Sequence, residues 1–321
     1  MKIGTSLRSS YPVADPREGA RWMVERAAAA AVAGLDSLFV GDHHATGPVP
    51  YYQNSAVLGR LLAEWGDRLA GALYLLLAWN PVLVAEQVGT LAALAGGRFV
   101  LQCAVGGGDQ LAAMGAPPTG RAAVFEHRLD VIRRLLAGEE VEGVRVAPVP
   151  PEPVEVWIGG HAPAAIDRAA RLGDGWILAP WATDEQAGEM AAAYLKACEA
   201  HDRAPGAVVI RRDVHVGADE EDAFRVARPV LDGGYRGMDP AATVVGGPDD
   251  VARRFTRYAA MGYDHVLVRH LADGQDDVLA SFARLAEVRR LVEPVLPSWV
   301  RRWPPGGGGS GGGGGAGVAG R

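Results

Sequence analysis

The sequence predicts a (β/α)8 barrel. Short apolar runs alternate with amphipathic helical stretches eight times along 321 residues, and no long section of antiparallel character interrupts them. Several of the apolar runs also end in glycine or in titratable side chains, as strands do where they open onto the functional face of a parallel barrel.

Residues 3–7 read as the first strand, and residues 17–34 as an Ala-rich helix closed by Gly34, where a left-handed cap suits glycine. Leu38, Phe39 and Val40 suit a strand buried on both faces, after which Gly41 turns the backbone into Asp42, His43 and His44. A polar loop over 45–50 leads to a helix over 53–65. Residues 69–77 are nearly all apolar, and Pro81 opens a helix to Gly96. The fourth strand, 99–105, ends in Gly106, Gly107, Gly108 and Asp109. Over 121–137, charges interleave with Val, Phe, Leu and Ile at helical spacing.

Prolines at 148, 150, 151 and 153 hold an extended approach to the fifth strand, 154–158, which Gly159 and Gly160 end before a helix over 163–172. The sixth strand, 176–179, is followed by a helix over 184–201. The seventh, 208–216, is followed by a helix from Asp219 and an irregular Gly-rich piece through Gly247. Pro248 begins a helix that stops at Gly262, residues 265–271 supply the eighth strand, and 277–295 a last amphipathic helix. A single domain over 1–300 results. The tail, 301–321, cannot bury apolar surface and is expected to be disordered.

Composition narrows the function classes. With 49% hydrophobic and 22% charged residues, the chain can bury one large core, while a net charge of −6 argues against nucleic acid or an anionic membrane as partner. No run of about 18 uncharged apolar residues occurs and MKIGTSLRSS reads as a strand rather than a signal peptide, so a soluble cytoplasmic protein is expected. Cys103 and Cys198 lie in apolar runs without partners for a disulfide or metal framework and read as structural. Of 32 basic residues only Lys2 and Lys196 are lysine, so an anion at a pocket mouth would meet guanidinium forks or backbone amides.

Asp42, His43 and His44 concentrate charge just past a strand, where they could serve acid–base chemistry or simply cap a loop. Ile158, Gly159, Gly160 and His161 precede a helix start. They could let backbone amides approach a phosphate or form a tight turn only. Gly106, Gly107 and Gly108 offer a side-chain-free surface for a planar ring, or a flexible loop. Arg269 and His270, ending the eighth strand, could meet an anion or join a salt bridge, and Trp181 suggests an apolar substrate.

The sequence resembles the luciferase-like monooxygenase superfamily, and within it the bacterial oxidoreductases that use the deazaflavin coenzyme F420. The resemblance runs over about residues 1 to 296. It rests on the order and spacing of KIGTSL, GLDSLFVGDHH, NPVLVAEQVGTLAALAGGRFVLQCAVGGG, the R-x6-R-L-D helix at Arg121 to Asp130, VEVWIGGHAPAAIDRAARLGDGW and GGPDDVARRFTRYAAMGYDHVLVRH. It implies that Asp42 contacts the deazaflavin, that His43 takes a proton from a substrate alcohol, and that Asp109, one methylene shorter than the family's Glu, protonates the cofactor. His44 would line the substrate pocket. It further implies a non-proline cis peptide near Leu73 and Tyr74, behind the ring. The sugar-phosphate branch places a lysine after the sixth strand, where this chain reads Ala179-Pro180-Trp181-Ala182, so a sugar phosphate is not the expected substrate.

Three classes of function follow. The first passes a hydride between F420 and a small, rather apolar organic substrate and needs no metal. The second is an FMN-dependent two-component monooxygenase supplied by a flavin reductase. The third is a non-catalytic flavin-binding relative, or a hydrolase with a metal at Asp42, His43 and His44, for which no second ligand cluster is present. The apolar helices near the start permit a homodimer.

Overall fold

The computed structural model describes residues 1–48, 50–107, 109–292 and 299, with Asp109 through its backbone alone. The first half alternates as β1 (Lys2–Leu7), α1 (Pro16–Val32), β2 (Ser37–Val40), α2 (Asn54–Trp65), β3 (Leu69–Leu75), α3 (Pro81–Leu94), β4 (Phe99–Ala104), α4 (Asp109–Ala113) and α5 (Arg121–Leu136). The second continues with β5 (Glu155–Gly159), α6 (Pro163–Leu172), β6 (Gly175–Leu178), α7 (Asp184–Ala200), β7 (Ala207–Val216), α8 (Glu220–Asp232), β8 (Val244–Gly246), α9 (Pro248–Ala260), β9 (His265–His270) and α10 (Gln275–Leu291).

Every strand pairing is parallel. β1 through β7 follow one another, β7 then pairs with β9 and β9 with β1, which closes an eight-stranded cylinder. Helix starts follow local chemistry: Asp15 accepts from the Arg17 amide ahead of α1, Asn80 from Val82 ahead of α3, and Thr183 and Gln186 form a capping box on α7.

Two elements depart from the expected pattern. α4 follows the glycines of β4 at once, where only a loop was anticipated. β8 lies in the piece read as irregular. It pairs with Val214–Val216 because β7, at 10 residues, outruns the 6 of β9 and leaves an edge uncovered. The Gly-rich tail falls outside the described residues.

Alternation along the strands sets the interior. Phe39, Val100, Trp157, Val209 and Leu267 point inward and form one buried layer, with the Phe39 and Trp157 rings 5.2 Å apart. Their outward neighbours, among them Leu38, Leu101, Ile158, Ile210 and Val266, pack beneath the helices. Cys103 and Cys198 are buried free thiols, and burial pushes Cys103 up to about 12, far from thiolate chemistry. Among the described residues, no helix is long and apolar enough to cross a membrane, and no group of three or more His, Cys, Asp or Glu could hold a metal ion.

Below the Phe39–Trp157 layer, His265 Nε2 lies 2.8 Å from Ser37 Oγ and its ring meets Trp157 edge-on. Burial, with help from the Lys2 cation, holds the His265 imidazole down at about 3. The unfolded chain therefore binds a proton below about pH 6.5 that the folded chain refuses, and stability should fall with acidification by up to about 1.4 kcal/mol per pH unit from this group. His265→Gln should flatten the dependence between pH 6.5 and 4.5 in urea unfolding. An unchanged slope would show that His265 does not carry it.

Candidate active site

Above the aromatic layer, the next inward positions include Ser6, Gly41, Leu73, Gln102, Gly159 and Arg211. They wall a cavity of about 530 Å³ at the carboxyl ends of the strands, with Val105, Gly106, Gly107, Gly160 and His161 on its rim. That volume suits a small-molecule or cofactor site.

Asp42 is one residue past an inward Gly41 and so turns outward, where it is 1% exposed. Its Oδ2 accepts from the Leu75 amide at 2.7 Å and from the Trp79 indole at 2.9 Å, and its Oδ1 lies 3.0 Å from His44 Nε2. Arg128 of α5 holds the same turn from the other side, donating to the Leu76 and Trp79 carbonyls. Asp42 and His44 thus fasten the β3–α3 turn to β2. The Asp42 hydrogen bond raises the His44 imidazole above its ordinary value, with burial opposing.

His43 turns the other way and is exposed; it does not line the cavity, and Gln110 ties it to the Gly107 rim. Its Nδ1 lies 3.0 Å from Gln110 Oε1, and the same oxygen accepts the His44 backbone N–H at 3.2 Å. A backbone N–H can only donate, so the Gln110 atom facing both groups is the carbonyl oxygen. Its amide nitrogen then reaches the Gly107 carbonyl at 3.4 Å. The neutral imidazole must therefore carry its proton on Nδ1 and keep an open lone pair on Nε2. Tyr51 packs edge-on to His43 at 5.3 Å, and burial pushes its phenol up to about 12, so it remains a hydrogen-bond donor.

The glycines differ in what they do. Gly106 has φ +75°, a conformation that favours glycine, and opens the rim. Gly160 answers a packing need, since a Cβ there would stand 2.5 Å from the Ala165 Cβ. The α6 start, Ala162, has no side-chain cap, and His161, Ala162 and Ala165 border the cavity, so the positive helix end faces it; Pro163 carries no N–H and the Ala165 N–H donates to the Ala162 carbonyl at 2.8 Å, so the first turn does not offer a set of free amides. His161 stands edge-on to Trp181 at 4.6 Å.

The sequence model of the luciferase-like monooxygenase family matches residues 1–242. The chain belongs to this family. Among curated relatives, it is 32% identical over 196 residues to an F420-dependent glucose-6-phosphate dehydrogenase of Beutenbergia cavernae, covering 53% of this chain and 56% of that one. The chain spans between 37% and 57% of the length of the curated relatives it matches. Its fold is that of an F420-dependent secondary alcohol dehydrogenase in complex with an F420-acetone adduct, with TM-score 0.72, 16% identity, and 91% of this chain and 99% of that chain covered. The oxygenating constituent of 3,6-diketocamphane monooxygenase from the CAM plasmid of Pseudomonas putida, in complex with FMN, shares it at TM-score 0.76 and 16% identity, with 92% of this chain and 100% of that chain covered.

In this luciferase-like chain, the wall chemistry suits a flat ring with a polar edge and a phosphate. Leu73 and Ile177 give apolar surface, Gln102 Nε2 is a buried donor without a protein acceptor among the described residues, and the positive end of α6 favours an anion. Leu73, Gly106, Gly107, Gly159, Gly160 and His161 of the anticipated residues meet at this one cavity. Gly108 and the Asp109 side chain lie outside the described residues.

Other anticipated residues lie elsewhere. Tyr74 points away from the cavity, its hydroxyl donating to Gln87 Oε1 at 3.1 Å, and Ile158 packs under the helices, since each is one position out of phase with an inward neighbour. Asp42 and His44 do not line the cavity, being spent on the turn. His270 is buried against Phe282 with Nε2 3.0 Å from Ser281 Oγ, which makes it a core histidine beneath α10. Arg269 donates to the Tyr235 hydroxyl at 2.6 Å and sits 3.5 Å from Asp213 Oδ2. The peptides at Leu73 and Tyr74 are not cis. β3 pairs residue for residue with β4 through Leu75, which leaves no bulge there. Sequence reasoning missed Gln102, Gln110, Tyr51 and Arg211. Gln102, the polar position in an otherwise apolar strand, carried the signal, and Arg211 opens a charged run, Arg211-Arg212-Asp213, within β7.

Replacing Asp42 by Ala would leave two buried N–H donors unmatched and should cost about 2–4 kcal/mol in urea unfolding. Because the folded His44 value is raised, its contribution is full below about pH 6.5 and fades as pH rises through the folded value. The stability gap between the native chain and His44→Gln should accordingly narrow from pH 6 to pH 9. A gap that widens would remove the ion pair from the turn.

Proposed function

We propose that this chain is an oxidoreductase that passes a hydride between coenzyme F420 and a small, rather apolar organic substrate, with His43 as the base. The observation that carries the reading is the hold of Gln110 on His43 Nδ1 beside a ring-sized cavity, which presents Nε2 as a proton acceptor. When bound, the deazaflavin supplies the two-electron donor or acceptor. Gln102 and the glycine rim would orient the ring, the positive end of α6 would favour its phosphate, and Tyr51 would donate to a substrate oxygen. Asp109 stays in the proposal, as an acid, through the resemblance. The F420-dependent relatives among curated sequences support this cofactor.

An FMN-dependent monooxygenase served by a flavin reductase is the second reading, favoured by the fold shared with an FMN complex. Titrating the apoprotein with each cofactor separates the two. F420 is expected to bind at least about tenfold tighter, and the reverse order would overturn the choice.

With a substrate drawn from a panel of alcohols, enones and nitro compounds, His43→Ala should lower kcat by roughly 10² to 10⁴. Gln110→Glu keeps an acceptor at Nδ1 while adding charge, so the acid limb of the kcat/KM profile should move to higher pH. Unchanged turnover in the first variant would remove His43 from the mechanism. An unmoved limb in the second would remove Gln110 from its positioning role.

A further inference from the structure

We propose that Arg211 is the anion-recognition residue of the cavity and that the substrate carries a carboxylate beside its apolar body, a refinement that rests on the oxidoreductase reading. Arg211 follows Val209 by two along β7, so its side chain enters the barrel one layer above the aromatic floor and forms part of the cavity wall. Its Nε is buried without a partner, and among the described residues its guanidinium makes no hydrogen bond to a protein acceptor. Asp213 is held by other groups on one side, its Oδ2 accepting from the Tyr235 hydroxyl at 2.9 Å and from Arg236 at 2.8 Å, with Arg269 at 3.5 Å, while its buried Oδ1 has no hydrogen-bond partner among the described residues and is not bonded to Arg211.

Three guanidinium groups thus surround one carboxylate, and the one left over faces the cavity. A buried cation without a counter-charge is costly, whereas the planar fork of arginine matches a carboxylate with two parallel hydrogen bonds. Burial lowers Arg211 to about 10, with Asp213 opposing and Arg269 and Arg236 adding to the decrease, so it remains charged at neutral pH. Placement favours the substrate over the cofactor's phosphate. The glycines and the positive helix end lie on β4, β5 and α6, while β7, β9 and β1 bring Arg211, Arg269 and Ser6 to the same level.

The test measures binding of benzoate, benzamide and inorganic phosphate by calorimetry, to the apoprotein and to the cofactor-loaded protein. Benzoate should bind at least about tenfold tighter than benzamide, and Arg211→Met and Arg211→Gln should each erase that preference. Both variants should keep the cofactor dissociation constant within about threefold and should melt no lower than the native chain, since an unpaired buried charge is removed.

Equal binding of acid and amide by the native chain, or a preference that survives in the variants, would overturn the proposal. So would phosphate bound tighter than benzoate, a cofactor affinity that falls with the benzoate preference intact, or variants that melt well below the native chain. A chain that binds neither F420 nor FMN would refute the parent reading, while the benzoate preference of the apoprotein would still be readable.

Discussion

The width of the barrel interior is the constraint on which the rest depends. Two aromatic rings, Phe39 and Trp157, share one inward layer, and a closed eight-stranded sheet leaves room for them only where the facing strands carry no side chain. A Cβ on Gly71 would stand 2.5 Å from Phe39 Cε1, and one on Gly175 would stand 2.7 Å from Trp157 Cδ1. Gly4 faces the same restriction from Ser37 and Leu267. These glycines pay for the aromatic floor with backbone entropy, and the floor decides how deep the cavity above it can be.

Once the floor is set, parity along each strand assigns everything above it. Gly41, Leu73, Gln102, Gly159 and Arg211 are inward because the residues two before them are inward, and their neighbours Asp42, Tyr74, Cys103, Ile158 and Arg212 are outward for the same reason. Outward polar residues must then find partners among the helices. Asp42 does so with the β3–α3 turn. Arg212 lies over the Tyr258 ring at 4.9 Å, and Tyr258 donates to Asp184 at the start of α7. Arg211, by contrast, points inside, where it has no hydrogen-bonded acid among the described residues.

How much of this the sequence discloses depends on whether a strand shows its phase. The barrel itself was legible, because length, spacing and caps agree at every step. The cavity-lining glycines were legible at β4 and β5, where they mark the strand ends, whereas at β2 the wall residue is Gly41 and not Asp42, His43 or His44. Strand phase was misread at β3, at β9 and, for Ile158, at β5. LAGALYL is apolar on both faces, so pattern alone does not say whether Leu73 or Tyr74 faces inward, although Gly71, which must lie beneath an aromatic ring, fixes the phase once the floor is known. Ile158 and His270 fail in the same way, each one residue from an inward position. β8 and α4 were missed because each is too short, at 3 and 5 residues, to show a period.

The adjacent histidines show how far local geometry, rather than residue type, sets chemistry. His44 faces outward and meets a buried carboxylate, whose hydrogen bond raises the imidazole above its ordinary value and serves the turn. His43 faces solvent and meets an amide oxygen, which fixes a tautomer without adding charge and leaves Nε2 able to accept a proton. Both are bound to one residue, since Gln110 Oε1 touches the His43 ring and the His44 backbone. Any shift of α4 would therefore move the proposed base and loosen the turn that Asp42 secures, so the chemistry at the mouth and the packing behind β2 are mechanically one unit.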